Sequence, residues 1–174
     1  EIMESYFINR KSNDCLTNRT SGTLMSHNLY LGEGIASGSN TLEGNLAYNA
    51  RSNFTVRAGG LIRDNLSIRG GVGFTLGSPA TGGSGGNGVL YSPVNAEYNV
   101  LLENRNEWKT PTDADISCDP ARVLKWGWGI EAGYQQYGVI RNNVIANATD
   151  GGFPVGLRLA NGFHGLDASA NVIY

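Results

Sequence analysis

Ile62-Arg63-Asp64-Asn65-Leu66 contains the pattern that decides the fold: an apolar residue, two variable residues, an asparagine and a branched apolar residue. The pattern occurs five times along the chain, with its asparagines at Asn45, Asn65, Asn99, Asn143 and Asn171. An asparagine side chain can bond the backbone of a tight turn and tolerates a left-handed φ. Stacked asparagine amides can also hydrogen-bond each other as a ladder. The repeat therefore predicts an asparagine turn in every coil of a solenoid.

Short apolar segments flank each asparagine turn with the period-2 alternation of strands. A second strand runs into the turn, and a third strand such as Leu66-Ser67-Ile68 leaves it. Five further segments, which we call the first strands, alternate small, apolar, variable, apolar and variable residues. They are residues 28–32, 53–57, 73–77, 129–133 and 156–160. Three short strands per coil predict an all-β, right-handed parallel β-helix of about five to seven coils.

The coils differ in length, and loops account for the difference. Successive asparagines lie 20, 34, 44 and 28 positions apart, and about 20 positions suffice for three short strands. The excess is concentrated in two insertions, 78–94 and 103–127, which adjoin the first strands. A leucine-rich repeat would need a more regular period, and a β-sandwich would not place one asparagine in register five times. We expect the two insertions to wall a groove over the first-strand sheet.

Composition agrees with one turn-rich domain spanning 1–174. Hydrophobic residues make up 40% of the chain, enough for a continuous core, and the 25 glycines suit many tight turns. The net charge of −2 argues against nucleic acid as the main partner, and no apolar run is long enough for a membrane span. Cys15 and Cys118 permit one disulfide or two free thiols.

The two ends of the chain carry no recognisable cap. Residues 4–9 have the pattern of a third strand from an earlier coil, and Tyr174 falls within a third strand. Open strand edges expose unpaired backbone groups. We therefore expect the chain to be a segment of a longer one, or its ends to pair with other subunits.

The coils, with their asparagine turns, resemble the pectate-lyase-like superfamily of parallel β-helices over residues 26–174. The segments 57–66 and 140–144 are the most similar to its coil repeat. No complete catalytic signature of a pectate lyase or polygalacturonase is present. The resemblance therefore implies the fold, and only the general location of a substrate along the outside of the first-strand sheet.

The outward positions of the first strands are the candidate site. One row consists of Tyr30, Thr55, Thr75, Glu131 and Arg158. Arg57 stands in the next row, among glycines that either leave room for a ligand or serve turn geometry. We expect the two threonines of the row to contact substrate.

A lyase acting on an anionic polysaccharide needs a group to neutralise the uronate carboxylate, a base and an acid. Arg57 and Arg158 are candidates for neutralising the carboxylate through forked hydrogen bonds. Arg57 could alternatively be a solvated or salt-bridged arginine. Tyr30 is a candidate base or acid, or alternatively a platform on which a sugar stacks. Strict alternation directs His27 to the core, so it would serve only if it turned outward. His164 lies in a predicted turn and is interpreted as structural.

The second insertion carries residues suited to sugar and metal binding. Trp108 and Trp126 can stack on sugar rings or anchor the loop on the coil surface. Asp113, Asp115 and Asp119 supply carboxylate oxygens of the kind that Ca²⁺ binds, although their spacing is not that of an EF-hand. Solvated loop acids are the alternative interpretation.

These features predict an extracellular or cell-surface protein that acts on polysaccharide, with a uronate lyase favoured over a hydrolase. A hydrolase needs two carboxylates. Glu131 is the only acid in the outward rows, and an aspartate of the second insertion is the candidate partner. The alternative is a non-catalytic module that binds carbohydrate, adheres or forms filaments. Ice binding would need a flat threonine array, and only Thr55 and Thr75 line up.

Overall fold

The three strands of each predicted coil fall into three separate parallel sheets. The computed structural model describes residues 2–8, 27–32, 40–48, 50, 52–77, 93–104, 127–133, 136–150, 153–159 and 164–174. Sheet A, formed by the second strands, contains β1 (Ile2–Met3), β4 (Thr41–Glu43), β7 (Gly60–Arg63), β10 (Val94–Glu97), β13 (Gln136–Arg141) and β17 (His164–Asp167). Sheet B, formed by the third strands, contains β2 (Tyr6–Ile8), β5 (Leu46–Tyr48), β8 (Leu66–Ile68), β11 (Val100–Leu102), β14 (Val144–Ala146) and β18 (Val172–Ile173).

Sheet C is formed by the first strands and carries the predicted site. It contains β3 (His27–Leu31), β6 (Ser52–Val56), β9 (Val72–Gly77), β12 (Trp128–Gly133) and β16 (Phe153–Leu159). A short strand, β15 (Thr149–Asp150), pairs antiparallel with β16 at one edge. The described residues thus form five complete coils and two strands of a sixth, which confirms the predicted parallel β-helix. The prediction that His164 lies in a turn is wrong. His164 is the first residue of strand β17 and pairs with Gln136.

The asparagine ladder is present as predicted. At each step the Nδ2 of one asparagine donates to the Oδ1 of the asparagine in the next coil, over 2.9–3.0 Å. That Oδ1 also accepts the backbone N–H of the same preceding asparagine. Each Nδ2 donates a second time, to a backbone carbonyl of the preceding coil. The five amides therefore satisfy each other and the turn backbone inside the solenoid.

The left-handed residue of each turn is not the asparagine but the residue before it. These residues have φ between 52° and 65° and are Gly44, Asp64, Tyr98, Asn142 and Ala170. A left-handed φ costs a non-glycine residue roughly 1–2 kcal/mol. The asparagine ladder offsets that cost, because its hydrogen bonds require the sharp corner that the preceding residue makes.

The core is a stack of apolar side chains contributed by strands of all three sheets. Phe54 and Phe74 of sheet C are fully buried and meet edge to face, with ring centroids 5.1 Å apart. Leu42 and Ile62 of sheet A pair in register, and Leu101 of sheet B packs in the same cluster. Burying one such side chain stabilises the fold by roughly 1.5–3 kcal/mol. The interior is therefore continuous from coil to coil.

The outer face of sheet A carries a row of alternating charges. In register order it runs Glu43, Arg63, Glu97 and Arg141. Arg63 bonds Glu43 at 2.9 Å, and Arg141 bonds Glu97 at 3.2 Å. The hydrogen bond to Glu43 is the largest of the effects that raise the pKa of the Arg63 guanidinium. Opposite charges on successive coils favour this register, since a shift by one residue would separate them.

Candidate functional site

The predicted outward row crosses sheet C in the expected register. Tyr30 pairs with Thr55, Thr55 with Thr75, Thr75 with Glu131, and Glu131 with Arg158. The row is not uniformly open. Tyr30 and Arg158 are exposed, whereas the three residues between them are at most 8% exposed. The accessible groups therefore lie at the two ends of the row.

The first strands depart from strict alternation, and this departure brings His27 to the outer face. Asn53 and Phe54 both point inward: the Asn53 amide bonds groups of sheet B, and Phe54 lies in the core. Ser52 therefore shares the outer face with Thr55 and bonds it over 3.0 Å. His27 pairs in register with Ser52. The expectation that His27 points to the core is consequently wrong.

We name the first accessible group the Tyr30 cluster, formed by His27, Tyr30 and Arg57. The His27 and Tyr30 rings have centroids 5.1 Å apart and are tilted by 49°. The Arg57 guanidinium carbon lies 5.5 Å from the Tyr30 ring centroid, a cation–π distance. Tyr30 is 45% exposed, and His27 and Arg57 are half-buried. An imidazole, a phenol and a guanidinium thus meet at one surface position.

Buried hydroxyl groups connect the Tyr30 cluster to the interior of the row. The Thr55 Oγ1 lies 2.8 Å from His27 Nδ1 and donates to Ser52 Oγ. The Ser52 Oγ lies 3.0 Å from Thr75 Oγ1 and donates to the Phe54 carbonyl. Thr55 and Thr75 were predicted to contact substrate, and both spend their hydroxyl groups within the chain. The structure therefore places them beneath the cluster rather than at its surface.

At the other end of the row lies the Glu131 cluster, formed by Trp128, Glu131 and Arg158, of which Arg158 is exposed and the other two are buried. The Glu131 carboxylate is fully buried and forms a salt bridge with Arg158. The Arg158 guanidinium carbon also lies 4.2 Å from the centroid of a Trp128 ring. The charge of Arg158 is therefore already matched by Glu131. Trp128 was not among the residues predicted from the sequence. Like Ser52, it faces outward because the first strands depart from strict alternation.

The glycines of the neighbouring row serve the backbone and Tyr30. Gly77 has a φ of 68°, which a residue with a side chain adopts only under strain. A Cβ placed on Gly32 would lie 3.1 Å from the Tyr30 ring, so the missing side chain lets the ring lie over the backbone. The sequence left two explanations for these glycines, turn geometry or room for a ligand. Turn geometry explains Gly77, and at Gly32 the room is occupied by the Tyr30 ring.

Several predicted site residues lie outside the described residues. They are Trp108, Asp113, Asp115, Asp119 and Trp126, together with Cys15 and Cys118. Within the described ranges, no group of three His, Cys, Asp or Glu side chains is arranged to hold a metal ion. None of the described residues forms a helix with the length and apolar character that a membrane span requires.

No family model matches the chain, and it has no significant match among curated proteins or solved structures. What these contacts establish on their own is a parallel β-helix with two polar clusters on the outer face of its first-strand sheet. The chain's own residues therefore carry the functional inference.

Proposed function

We propose that this chain is a polysaccharide-active β-helix protein that cleaves uronate-containing polysaccharide by β-elimination at the Tyr30 cluster. The observation that carries the proposal is that His27 and Arg57 both lie against Tyr30. The three groups a lyase needs are a cation for the carboxylate, a base and an acid. All three residue types are within contact distance at an accessible position of the outer face.

The reaction divides among these residues in a simple way. The Arg57 guanidinium binds the uronate carboxylate by paired hydrogen bonds, and the charge it supplies makes the C5 proton more acidic. His27 and Tyr30 share the proton transfers: one removes the C5 proton and the other protonates the leaving O4. The electron pair of the C5–H bond forms the C4=C5 double bond as the C4–O4 bond breaks.

The Glu131 cluster favours a lyase over a hydrolase. A glycoside hydrolase needs two carboxylates roughly 5–9 Å apart with sugar between them. Glu131 is buried and already bound to Arg158. Its carboxylate is therefore poorly placed to meet substrate, and Arg158 is better suited to hold the polymer at a distance from the reacting bond.

The remaining expectations form part of the same proposal. A polymeric substrate implies an extracellular or cell-surface location. The coils with their asparagine turns support a relationship to the pectate-lyase-like superfamily. Trp108 and Trp126 would stack on sugar rings beside the outer face. Asp113, Asp115 and Asp119 would bind Ca²⁺. Added chelator should lower turnover if this ion helps to hold a uronate, and Ca²⁺ should restore it.

The test is a panel of alginate, pectate and other uronate polymers, with a neutral glucan as the control. We expect ultraviolet absorbance of an unsaturated uronate product with at least one acidic polymer. Arg57→Ala should reduce kcat/KM on the order of a hundredfold. Arg141→Ala, which removes an arginine from the outer face of sheet A, is the matched control and should retain activity. No product with any polymer, or full activity in Arg57→Ala, would contradict the proposal.

A second candidate function is a non-catalytic carbohydrate-binding, adhesive or filament-forming module. The observation that favours it is the closed middle of the row, where Thr55 and Thr75 both bond Ser52 and Glu131 pairs with Arg158. Arg158 over Trp128 would then serve as a sugar-binding surface. This candidate predicts retention on a polysaccharide column, or concentration-dependent assembly through the coil ends, with no turnover.

A further inference from the structure

The buried hydroxyl groups beneath His27 determine which imidazole nitrogen carries the proton. Ser52 has one hydroxyl proton, and we assign it to the Phe54 carbonyl 3.2 Å away, because a carbonyl can only accept while the neighbouring hydroxyl groups can donate. Ser52 Oγ is therefore an acceptor toward both threonines. Thr55 donates its own proton to Ser52 over 3.0 Å. Either hydroxyl could donate across the 3.0 Å contact between Ser52 and Thr75, and with the Ser52 proton assigned to the carbonyl, Thr75 is the donor. Every hydroxyl proton in the group is then accounted for.

The position of the His27 proton follows from this donor count. Thr55 has no proton left for His27, yet its Oγ1 lies 2.8 Å from Nδ1. The contact is a hydrogen bond only if Nδ1 carries a proton and Thr55 accepts it. In the neutral ring, Nε2 then carries the basic lone pair. The neutral histidine side chain in water prefers the opposite tautomer, with the proton on Nε2, so the buried network selects the less common one.

We propose that His27 is the general base of the β-elimination, acting through Nε2, and that Thr55 and Ser52 are positioning residues that hold it in this tautomer. This inference rests on the proposed lyase function. That proposal shared the two proton transfers between His27 and Tyr30, and the inference assigns one transfer to each residue. Tyr30 is then the acid. Thr55 and Ser52 touch neither the substrate nor the reacting atoms, and they act through the His27 ring.

The assigned step balances. Nε2 takes the C5 proton, the released electron pair forms C4=C5, and the C4–O4 bond breaks toward oxygen. The Tyr30 hydroxyl protonates O4, and the proton held by His27 restores the phenol through solvent after the products leave. The resulting imidazolium keeps its Nδ1 proton on Thr55 throughout, so Thr55 also orients the charged ring.

The tautomer can be measured without substrate by long-range ¹H–¹⁵N correlation NMR on the ¹⁵N-labelled full chain at alkaline pH. The chain has two histidines, so His164→Gln assigns the His27 signals. We expect His27 to be protonated at Nδ1 in the parent chain and in Thr55→Ser. In Thr55→Val the population should shift toward protonation at Nε2. Thr75→Val is the matched control, because it removes the next hydroxyl without touching His27, and it should leave the tautomer unchanged.

Activity provides the second readout. We expect Thr55→Val to lower kcat at least about tenfold with little change in KM, and Thr55→Ser to restore it. Protonation at Nε2 in the parent chain would overturn the inference, as would an equal tautomer shift in Thr75→Val. If the parent tautomer is as expected but no polymer is cleaved, the lyase function fails while the network stands. If polymers are cleaved and His27→Gln retains full turnover, the base assignment fails while the lyase function stands.

Discussion

At the scale of single residues, buried polar groups are the positions where a substitution should cost the most stability. Each asparagine side chain of the ladder takes part in at least three hydrogen bonds, and those of Asn99 and Asn143 take part in four. Asn99 donates to the Ile62 carbonyl and to Asn143, and it accepts from the N–H and the amide of Asn65. Such a group cannot be removed without leaving several partners unsatisfied, and each of these costs roughly 1–3 kcal/mol.

We therefore predict that Asn99→Ala lowers the free energy of unfolding by roughly 3 kcal/mol or more. Chemical denaturation followed by circular dichroism measures the change. Asn171→Ala is the control, because Asn171 occupies the last described turn, is half-buried and can be replaced by water. Equal losses in the two variants would show that the ladder contributes no more in the middle than at its edge.

The Glu131–Arg158 pair gives a second prediction at this scale. Arg158→Ala leaves a buried carboxylate without its cation, which costs roughly 3–5 kcal/mol. Glu131→Gln combined with Arg158→Ala removes both charges, so the double variant should be more stable than Arg158→Ala alone. Thermal unfolding of the three proteins tests this order. A double variant less stable than Arg158→Ala would mean that the unpaired Glu131 carboxylate is not the cause of the lost stability.

At the scale of strands, each inward position at the start of a sheet C strand matches a residue of sheet B in the same coil. Asn53 faces the small Ser67 and bonds its hydroxyl over 2.9 Å. The equivalent Gly156 faces a large residue, Ile173, whose Cγ2 would lie 2.3 Å from an added Cβ. Large residues thus meet glycine and small residues meet asparagine, which keeps the coil cross-section constant.

This complementarity predicts that Gly156→Ala destabilises the chain and that Ile173→Ala rescues it. The three atoms nearest to the added methyl group all belong to the Ile173 side chain, so the double variant should recover most of the loss. Gly129→Ala with Ile145→Ala is the contrasting pair, because the Gly156 carbonyl would also lie 2.6 Å from the new Cβ. A double-mutant cycle of unfolding free energies measures the coupling, expected at about 1 kcal/mol or more for the Gly156 pair. Additive losses would reject the proposed contact.

How far the sequence could predict the elements depends on which rule governed them. The asparagine repeat located the strands to within a residue or two at most positions, as with β5 (Leu46–Tyr48), because turn and alternation act locally. Alternation failed at Asn53, where two successive residues turn inward at the corner between sheets B and C. That corner is a property of coil closure, and it is why His27, Ser52 and Trp128 were misplaced or missed.

The site could be predicted only in part for a related reason. The row from Tyr30 to Arg158 followed from strand register, and the adjacency of Glu131 and Arg158 was implicit in it. Two opposite charges on neighbouring coils are the signal that would have indicated their salt bridge. The burial of Thr55 and Thr75 had no such signal, since it depends on how the whole outer face packs.

At the scale of the whole molecule, each coil contacts only its neighbours, so stability is a sum of coil and interface contributions. Within the described part of the chain, strands of the middle coils have two neighbours in their sheet, whereas β17 and β18 have one, and Val172 and Ile173 are about half exposed. We predict that amide hydrogen exchange is slowest in β8 and β9 and rises toward β18. Exchange measured by mass spectrometry tests this gradient, and uniform protection along the chain would contradict it.

The same neighbour-only coupling determines how far a local defect spreads. Asn99→Ala weakens an interior interface and should speed exchange in β7 and β8 on one side and in β13 and β14 on the other, because both flanks lose a stacked partner. Gly156→Ala lies next to the last described coil and should speed exchange in β16 to β18 while leaving β5 to β8 protected. If either substitution raised exchange equally in all strands, the coils would unfold as one unit, and the pairwise description of this solenoid would have to be abandoned.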